Sequence, residues 1–157
     1  KTITVMLADE AATLDLGARL GNVLAPGLVC YLVGDLGAGK TTLVRGLLRG
    51  LGYGDKVKSP TYTLVEEYSV CGLDLFHFDF YRFTRPEEYL DAGLDEYFAG
   101  NGICLVEWPR NAAPYLPPAN IDIALDSVGT GRVATLTARS AKGESCLTNF
   151  PAAAAAR

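Results

Sequence analysis

The sequence predicts an α/β fold, in which a mostly parallel sheet is flanked by helices and carries added antiparallel strands. Two observations lead to this prediction. The run Leu28–Val33 is apolar almost throughout, as in a central strand covered on both faces, and it leads directly into the glycine-rich segment Gly34–Thr41. Leucine and valine then recur at helical spacing from Leu43 to Leu51. A buried strand followed at once by an amphipathic helix is typical of α/β proteins.

The N-terminal elements follow from the periodicity of the apolar residues. Residues Thr2–Leu7 alternate between polar and apolar, which predicts a half-buried strand, and Asp9 can cap a helix that continues to Leu24. The Pro-Gly pair after Leu24 and Ala25 should end that helix. The leucine-rich helix after the glycine-rich segment should close at Gly52.

The remaining elements are a hairpin, a helix and several strands. The runs Thr61–Tyr68 and Leu73–Tyr81 flank a short turn and predict a β-hairpin. Thr84 and Glu87 form a capping-box pattern at the start of a helix that reaches Phe98. Further strands are expected at Ile103–Val106, Ile121–Leu125, Arg132–Ala138 and Glu144–Phe150, of which the last three are the C-terminal additions to the sheet.

Length and composition indicate one cytosolic domain. A chain of 157 residues, 49% of them hydrophobic, is enough for one core, so we expect residues 1–157 to form a single domain. The formal charge of −4 repels polyanions, so any RNA contact must come from a local patch or a partner. The four cysteines form no C-x-x-C pair, and no apolar run is long enough for a membrane span or a secretory signal. We therefore expect a cytoplasmic, reduced protein without membrane association.

The segment Gly34–Thr41 matches the pattern G-x4-G-K-T of P-loop nucleotide-binding proteins. Glycines let backbone N–H groups turn inward around an anion, Lys40 reaches the terminal phosphates, and the Thr41 hydroxyl ligates Mg²⁺. The sequence therefore predicts a site for ATP or GTP with Mg²⁺, and Lys40 is also a candidate catalytic residue. Its ammonium group is expected to be solvated while no phosphate is bound. The predicted nucleotide-contacting residues of the loop are Gly34, Asp35, Leu36, Gly37, Ala38, Gly39, Lys40, Thr41 and Thr42.

Two carboxylates are candidates for the Mg²⁺ site that a nucleotide hydrolase needs at the end of a neighbouring strand. Glu107 follows a continuously apolar strand, whereas Asp79 ends a strand that belongs to a hairpin nearer the sheet edge. We therefore favour Glu107 as metal ligand and Asp79 as a base or water-orienting residue. For Asp79, a salt bridge to Arg82 or Arg85 is an equal alternative.

Three further residues suggest functional roles, and each has a structural alternative. His77 is the single histidine, and a hydrogen-bonded structural residue on a half-buried strand is favoured over a general base. Thr61 follows a loop, so it either senses a γ-phosphate as a switch residue does or only begins a strand. Trp108, directly after Glu107, is either an interface or lid residue or part of the core.

Four segments of the chain carry a resemblance to one family. They are Gly34–Thr42 (GDLGAGKTT), Lys58–Glu66 (KSPTYTLVE), His77–Arg82 (HFDFYR) and Leu105–Pro109 (LVEWP). In this order and spacing they resemble the TsaE family, also called YjeE. That family is the small bacterial ATPase of tRNA threonylcarbamoyladenosine biosynthesis, which acts with the TsaD and TsaB proteins on the adenosine beside the anticodon. The similarity covers roughly Asp9 to Pro109.

The resemblance implies a P-loop fold, ATP and Mg²⁺ as cofactors, TsaD and TsaB as partners, and contact with tRNA only through their complex. It also implies roles for single residues: Glu10 approaches the adenine, Lys40 binds phosphates, Thr41 and Glu107 hold Mg²⁺, Asp79 assists hydrolysis and Trp108 lies close to the nucleotide. The choice of Glu107 agrees with the strand pattern above.

The leading functional hypothesis is an ATPase that drives or resets a tRNA-modifying assembly. A small-molecule or nucleotide kinase is the alternative, but it needs an acceptor site and an arginine-bearing lid, for which only Arg82 and Arg85 are available. A GTPase-like switch is a third hypothesis, although the guanine motif N-K-x-D is absent and Asp126–Gly129 matches D-x-x-G by chance in an expected turn. No arginine finger is evident, so a partner is expected to complete the site.

Overall fold

A computed structural model of the chain describes residues 1–151, so residues 152–157 of the predicted domain 1–157 lie outside the described part. The strands are β1 (Thr2–Leu7), β2 (Val29–Val33), β3 (Val65–Val70), β4 (Leu73–Asp79), β5 (Ile103–Glu107), β6 (Ile121–Val128) and β7 (Gly131–Ala138). The helices are α1 (Glu10–Gly21), α2 (Lys40–Gly50), α3 (Glu88–Asp91) and α4 (Ala141–Thr148), with 3-10 helices at Leu94–Phe98 and Pro109–Ala112. The strands form one sheet in the order β1-β7-β6-β2-β5-β4-β3.

The centre of this sheet is parallel and both of its edges are antiparallel. β2 runs parallel to β5 on one side and to β6 on the other, and β4 runs parallel to β5. β3 joins β4 at one edge, and β7 and β1 extend the other edge, all of them antiparallel. The predicted fold class is confirmed. Because β2, β4, β5 and β6 point the same way, their carboxyl ends meet at one edge of the sheet, where α/β proteins bind ligands.

Helices α1 and α2 pack against each other at very short range. A Cβ atom on Gly46 would collide with the backbone of Leu14, and one on Gly17 would collide with the carbonyl oxygen of Leu43. Larger residues would therefore push the two helices apart. This contact fixes the start of α1, which is capped by Asp9, beside the loop that precedes α2.

An apolar layer covers each face of the central strands. The larger layer lies between the sheet and α1, α2 and α4 and consists mainly of leucine and isoleucine. The layer on the opposite face is rich in aromatic residues, among them Phe78 and Phe98, whose rings stack with centroids 5.0 Å apart. β4 and β5 are thus buried on both faces, which holds their last residues, Asp79 and Glu107, in defined positions.

The predicted helix Thr84–Phe98 is divided into two short pieces. Gly93, with φ of +68°, ends α3 and precedes the 3-10 helix. The capping contact also differs from the predicted one, because the carboxylate of Glu88 accepts the Thr84 N–H at 2.6 Å in place of Glu87. The sequence pattern therefore located the helical segment correctly and missed the break.

Two other boundaries differ from the predictions. The first helix ends at Gly21 rather than near Leu24, and the hairpin strand β3 begins at Val65, since a turn occupies the preceding residues from Pro60. The turn between β3 and β4 lies where it was predicted. Among residues 1–151, no helix has the length and apolarity that crossing a membrane requires.

The predicted strand Glu144–Phe150 is wrong, because most of these residues belong to α4. Ser140 caps that helix by accepting the Gly143 N–H at 3.1 Å, and Cys146 and Leu147 pack into the larger core. The apparent alternation of these residues is too short to distinguish a strand from a helix by periodicity. The C-terminal additions to the sheet are therefore β6 and β7.

Candidate functional site

The glycine-rich loop Gly34–Gly39 leaves the carboxyl end of β2 and turns directly into α2. Gly37 and Gly39 have φ values of +78° and +103°, a region that glycine adopts without steric cost. Gly39 occupies the N-cap position, and no side chain caps the helix there. The N–H groups of Lys40 and Thr41 therefore lie where a helix N-terminus can bind an anion.

The remaining loop residues differ in their exposure. Leu36 is 66% exposed at the tip of the loop, and Asp35 is also exposed. Gly37 is exposed as well, whereas Gly34, Gly39, Thr41 and Thr42 are partly buried and Ala38 is buried.

Lys40 is buried, so the expectation of a solvated ammonium group is wrong. The side chain is only 5% exposed. Its Nζ donates to the carbonyl oxygen of Gly34, lies 3.5 Å from that of Asp35, and is 4.0 Å from Oε1 of Glu107. The same group lies 4.5 Å from the centre of the Trp108 ring. The end of β5 thus encloses the lysine, which motif spacing alone does not show.

Glu107 is the last residue of β5 and is 4% exposed. One carboxylate oxygen, Oε2, lies 2.6 Å from Nε2 of His77 on β4, while Oε1 is the oxygen on the side of Lys40. His77 is fully buried, not half-buried as predicted, and its hydrogen bond agrees with the structural interpretation of this histidine. The structure therefore brings together Lys40 and the carboxylate that the apolar pattern of its strand favoured.

Asp79 lies beside Glu107, because the two residues are paired in the parallel register of β4 and β5. Its Oδ1 accepts the Tyr81 N–H at 2.9 Å, and its Oδ2 accepts the Thr61 hydroxyl at 3.4 Å. Burial raises the pKa of Asp79 and the charge of Glu107 adds to this, while the Tyr81 N–H, His77 and Lys40 act in the opposite direction. A buried carboxylate with a raised pKa is a candidate for proton transfer.

The salt-bridge alternative for Asp79 does not match the geometry. Arg85 pairs with Glu87 and Asp91 at 3.7 and 3.2 Å, and the Arg82 guanidinium lies 4.4 Å from the centre of the Tyr62 ring. Within residues 1–151, Asp79 forms no ion pair with either arginine. The polar contacts of Asp79 are instead with the Tyr81 N–H and the Thr61 hydroxyl, beside the carboxyl ends of the parallel strands.

Thr61 and Trp108 border the same region. Thr61 reaches Asp79 and also lies 2.7 Å from the hydroxyl of Ser59, so it is next to the carboxylates, where a switch residue would be needed. Trp108 has a left-handed backbone with φ of +56°, and its ring meets Tyr81 edge to face at 4.9 Å. It is partly buried against the aromatic layer, so it contributes both to the core and to the wall of the site.

A cavity of about 200 Å³ lies on the α1 side of the loop, and Glu10 and Thr42 are among its lining residues. Arg132 of β7 lines it too and donates to the carbonyl oxygens of Ala38 and Gly37, both at 3.2 Å. Sequence reasoning missed Arg132, because only the placement of β7 in the sheet brings it to the loop. Glu10 itself is exposed, 3.9 Å from Arg45.

A second cavity, of about 320 Å³, lies between the loop and the ends of β5 and β6. Asp35, Trp108, Arg110, Asp126 and Ser127 are among its lining residues. The turn predicted at Asp126–Gly129 begins only at Gly129, because residues up to Val128 continue β6 and carry Asp126 to the site. No motif signals Asp126 and Ser127, since only the order of the strands in the sheet makes β6 a neighbour of β2.

Comparison with known proteins identifies the family. Residues 7–134 match the family model described as "Threonylcarbamoyl adenosine biosynthesis protein TsaE". The chain belongs to the TsaE family. The relative from Haemophilus influenzae, named tRNA threonylcarbamoyladenosine biosynthesis protein TsaE, is 40% identical over 155 residues, which cover 96% of this chain and 98% of that protein.

Two further comparisons agree with this assignment. The Bacillus subtilis protein of the same name is 47% identical over 104 residues, which cover 66% of this chain and 65% of that protein. The crystal structure of Bacillus subtilis YdiB matches with a TM-score of 0.82 at 33% identity and covers 96% of this chain and 94% of that chain. The resemblance stated from the four segments is confirmed, and the TsaE match includes the site from Glu10 to Arg132.

Proposed function

We propose that this chain binds ATP with Mg²⁺ and hydrolyses it in support of tRNA N6-threonylcarbamoyladenosine modification, together with the TsaD and TsaB proteins. One observation carries the proposal. A buried lysine at the start of α2 lies 4.0 Å from a buried glutamate at the end of β5. Both are next to a glycine-rich loop, and no side chain caps the first N–H groups of the helix that follows it. Nucleotide hydrolases combine the same three components, which are a lysine cation, a carboxylate and backbone N–H groups that bind the phosphates.

The donor set fits Mg²⁺. This ion is usually held in such sites by one or two protein oxygens, with phosphate and water oxygens completing its coordination. Oε1 of Glu107 is not the oxygen that meets His77, and the Thr41 hydroxyl lies in the first turn of α2. These two groups would hold the ion, which supplies charge neutralisation at the phosphates.

The chain's own residues then divide the work. The loop N–H groups and the Lys40 ammonium bind the phosphates, and Lys40 exchanges the carbonyl oxygen of Gly34 for a phosphate oxygen as its partner. Asp79, whose pKa is raised by burial, orients the attacking water or accepts its proton. In this proposal Glu10 and Arg132, which line the cavity on the α1 side, contact the base and ribose.

A partner would complete this site. Arg132 touches the loop, but it donates to the carbonyl oxygens of Gly37 and Ala38 rather than pointing to the Lys40–Glu107 pair. An arginine supplied by a partner is worth about 10³ to 10⁵ in rate in related hydrolases, so the isolated chain should turn over slowly. TsaD and TsaB would engage the loop from Tyr53 to Pro60 and the region of Trp108, and would mediate any contact with tRNA.

Small-molecule or nucleotide kinase activity is the second candidate. The cavity of about 320 Å³ beside Asp35, Arg110 and Asp126 has the minimum size for a small ligand and adjoins the loop. An acceptor hydroxyl bound there would have access to a terminal phosphate. The two functions differ in their product, because a kinase leaves phosphate on the acceptor and an ATPase releases it.

The test is ATP turnover by the chain alone and with TsaD and TsaB, with free phosphate as the measured product. We expect slow release alone and strong stimulation by the partners. Competition between ATP and GTP for the isolated chain measures the base preference in the same experiment. Phosphate recovered only on an added nucleoside or sugar, and not in solution, would establish the kinase instead.

A further inference from the structure

His77 and Glu107 form a buried polar pair between two adjacent strands. His77 is on β4 and Glu107 is at the end of β5, on the face that meets α2, and both side chains are almost completely excluded from solvent. Nε2 of His77 and Oε2 of Glu107 are 2.6 Å apart. A distance this short indicates a charge-assisted hydrogen bond, which is stronger than one between neutral groups.

The surroundings of the ring define which nitrogen donates. Within the described part of the chain, Nδ1 of His77 is buried and has no hydrogen-bond partner. If only Nδ1 carried a proton, that buried N–H would have no acceptor. The unprotonated Nε2 would then face the Glu107 carboxylate, so that two hydrogen-bond acceptors would be in contact. The tautomer with hydrogen on Nε2 avoids both problems, so His77 donates to Glu107.

This donation restricts the glutamate. A glutamate side chain has three rotatable torsions, and a free one distributes its two oxygens over many directions. With Oε2 held by His77, the other oxygen, Oε1, is directed to the side of the loop, 4.0 Å from Nζ of Lys40. One oxygen is therefore engaged by the protein, and one is left for a ligand.

We propose that His77 is a positioning residue, which holds Oε2 of Glu107 so that Oε1 is presented to the Mg²⁺ of a bound nucleotide. The inference rests on the proposed function. It assigns His77 neither a proton transfer nor a metal contact. Partners of this kind, one step removed from the metal, typically change metal affinity by about 10- to 100-fold when they are lost.

Two pairs of variants separate positioning from a merely structural role. His77→Gln keeps an N–H donor near the position of Nε2, whereas His77→Asn carries the same amide one methylene short of it. His77→Met fills the space without a donor. Leu75→Ala is the control, because Leu75 is equally buried on the same face of β4 and belongs to the apolar core, so it lowers stability without touching the Glu107 hydrogen bond.

The measured quantity is the ratio of affinities for a non-hydrolysable ATP analogue with Mg²⁺ and with EDTA, and thermal unfolding is recorded for each variant. We expect the ratio to fall about 10- to 100-fold in His77→Asn and His77→Met. It should stay within a few-fold of wild type in His77→Gln and unchanged in Leu75→Ala, even where the latter unfolds at a lower temperature. If His77→Met does not fold, the Gln and Asn variants still decide.

Equal ratios in the Gln and Asn variants would overturn the positioning role, and so would a wild-type ratio in His77→Met. The same holds if Leu75→Ala lowers the ratio as much as His77→Asn does. A wild-type protein whose affinity does not depend on Mg²⁺ at all would refute the proposed function itself, and the inference with it.

Discussion

Replacing Lys40 by methionine should destabilise the nucleotide-free protein as well as abolish nucleotide binding. In the structure the ammonium group is buried, donates to the carbonyl oxygen of Gly34 and lies 4.0 Å from Oε1 of Glu107. Methionine retains the aliphatic stem but removes the cation, so a carbonyl and a carboxylate each lose a partner. A solvated ammonium, as motif spacing alone suggests, would leave the stability unchanged.

The loss of stability in Lys40→Met depends on which polar groups keep a hydrogen-bond partner. A buried acceptor that loses its partner costs about 1–3 kcal/mol. The distance between Lys40 and Glu107 is at the outer limit for an ion pair, and Glu107 keeps its hydrogen bond to His77, so the larger penalty for an isolated buried charge does not apply. The melting temperature changes by roughly 2–4 °C per kcal/mol in a domain of this size, so we expect Lys40→Met to melt roughly 2–12 °C lower.

The assay is thermal unfolding of the nucleotide-free protein, followed by titration with ATP and Mg²⁺. Arg49→Met is the matched control, because Arg49 is an exposed basic residue of the same helix and its loss should change stability by less than about 0.5 kcal/mol. The double variant Lys40→Met, Glu107→Gln removes both charges and should recover part of the lost stability. A single variant that melts like wild type, or one that still binds ATP tightly, would refute this reasoning.

Three further predictions test the rest of the site. Glu107→Ala should remove most of the Mg²⁺ dependence of ATP binding and lose turnover, and unchanged hydrolysis would transfer the metal role to Asp79. Asp79→Asn should lower turnover by about 10² or more. Because the pKa of Asp79 is raised in the folded state, its ionisation destabilises the fold, and Asp79→Asn should be more stable than wild type at neutral pH. The denaturation curves of the variant and the wild type should converge as the pH falls below the ordinary aspartate pKa, where Asp79 is protonated in both the folded and the unfolded state. Lys56→Glu should leave the ATP affinity unchanged and reduce the stimulation of turnover by TsaD and TsaB. Trp108→Ala should reduce both quantities, since its ring contacts Lys40. Normal stimulation of both variants would show that TsaD and TsaB do not bind at the loop from Tyr53 to Pro60 and the region of Trp108.

The parts of the site that the sequence predicts are those encoded locally. The loop from Gly34 to Thr41 is one continuous motif, and its position between a buried strand and a helix is readable from periodicity. Glu107 was found by a rule of topology, since the residue after a continuously apolar strand lies at the carboxyl edge of a parallel sheet. The observed order of β2, β5 and β4 places Glu107 next to the loop and Asp79 beyond it, as that rule requires.

Residues contributed by β6 and β7 could not be found in this way. Arg132 lies more than 90 residues after the loop in the chain, and it reaches Gly37 and Ala38 only because β7 pairs with β6, which pairs with β2. Asp126 reaches the cavity for the same reason. Periodicity predicts that strands exist there, but it does not determine their order in a sheet.

Burial of charged groups was also outside the reach of sequence patterns. Lysine side chains are rarely buried in proteins, so the residue type gives no sign that Lys40 is. Its 5% exposure results from the packing of Gly34, Glu107 and Trp108 around it. The strand predicted at Glu144–Phe150 is wrong for a different reason, since Ser140 caps a helix there and the apparent alternation after it does not exclude a helix.

The polar groups at the strand ends form one connected unit. Glu107 is the hydrogen-bond acceptor of His77, the nearest anion to Lys40 and the register neighbour of Asp79, whose pKa its charge raises. Removing Glu107 therefore changes the surroundings of all three residues at once. Because groups in one network show interaction energies of about 0.5–3 kcal/mol, the effects of single substitutions here are not separate contributions that can be added. The interaction between two of these residues is measured by a double variant, which shows the loss of one partner with and without the other.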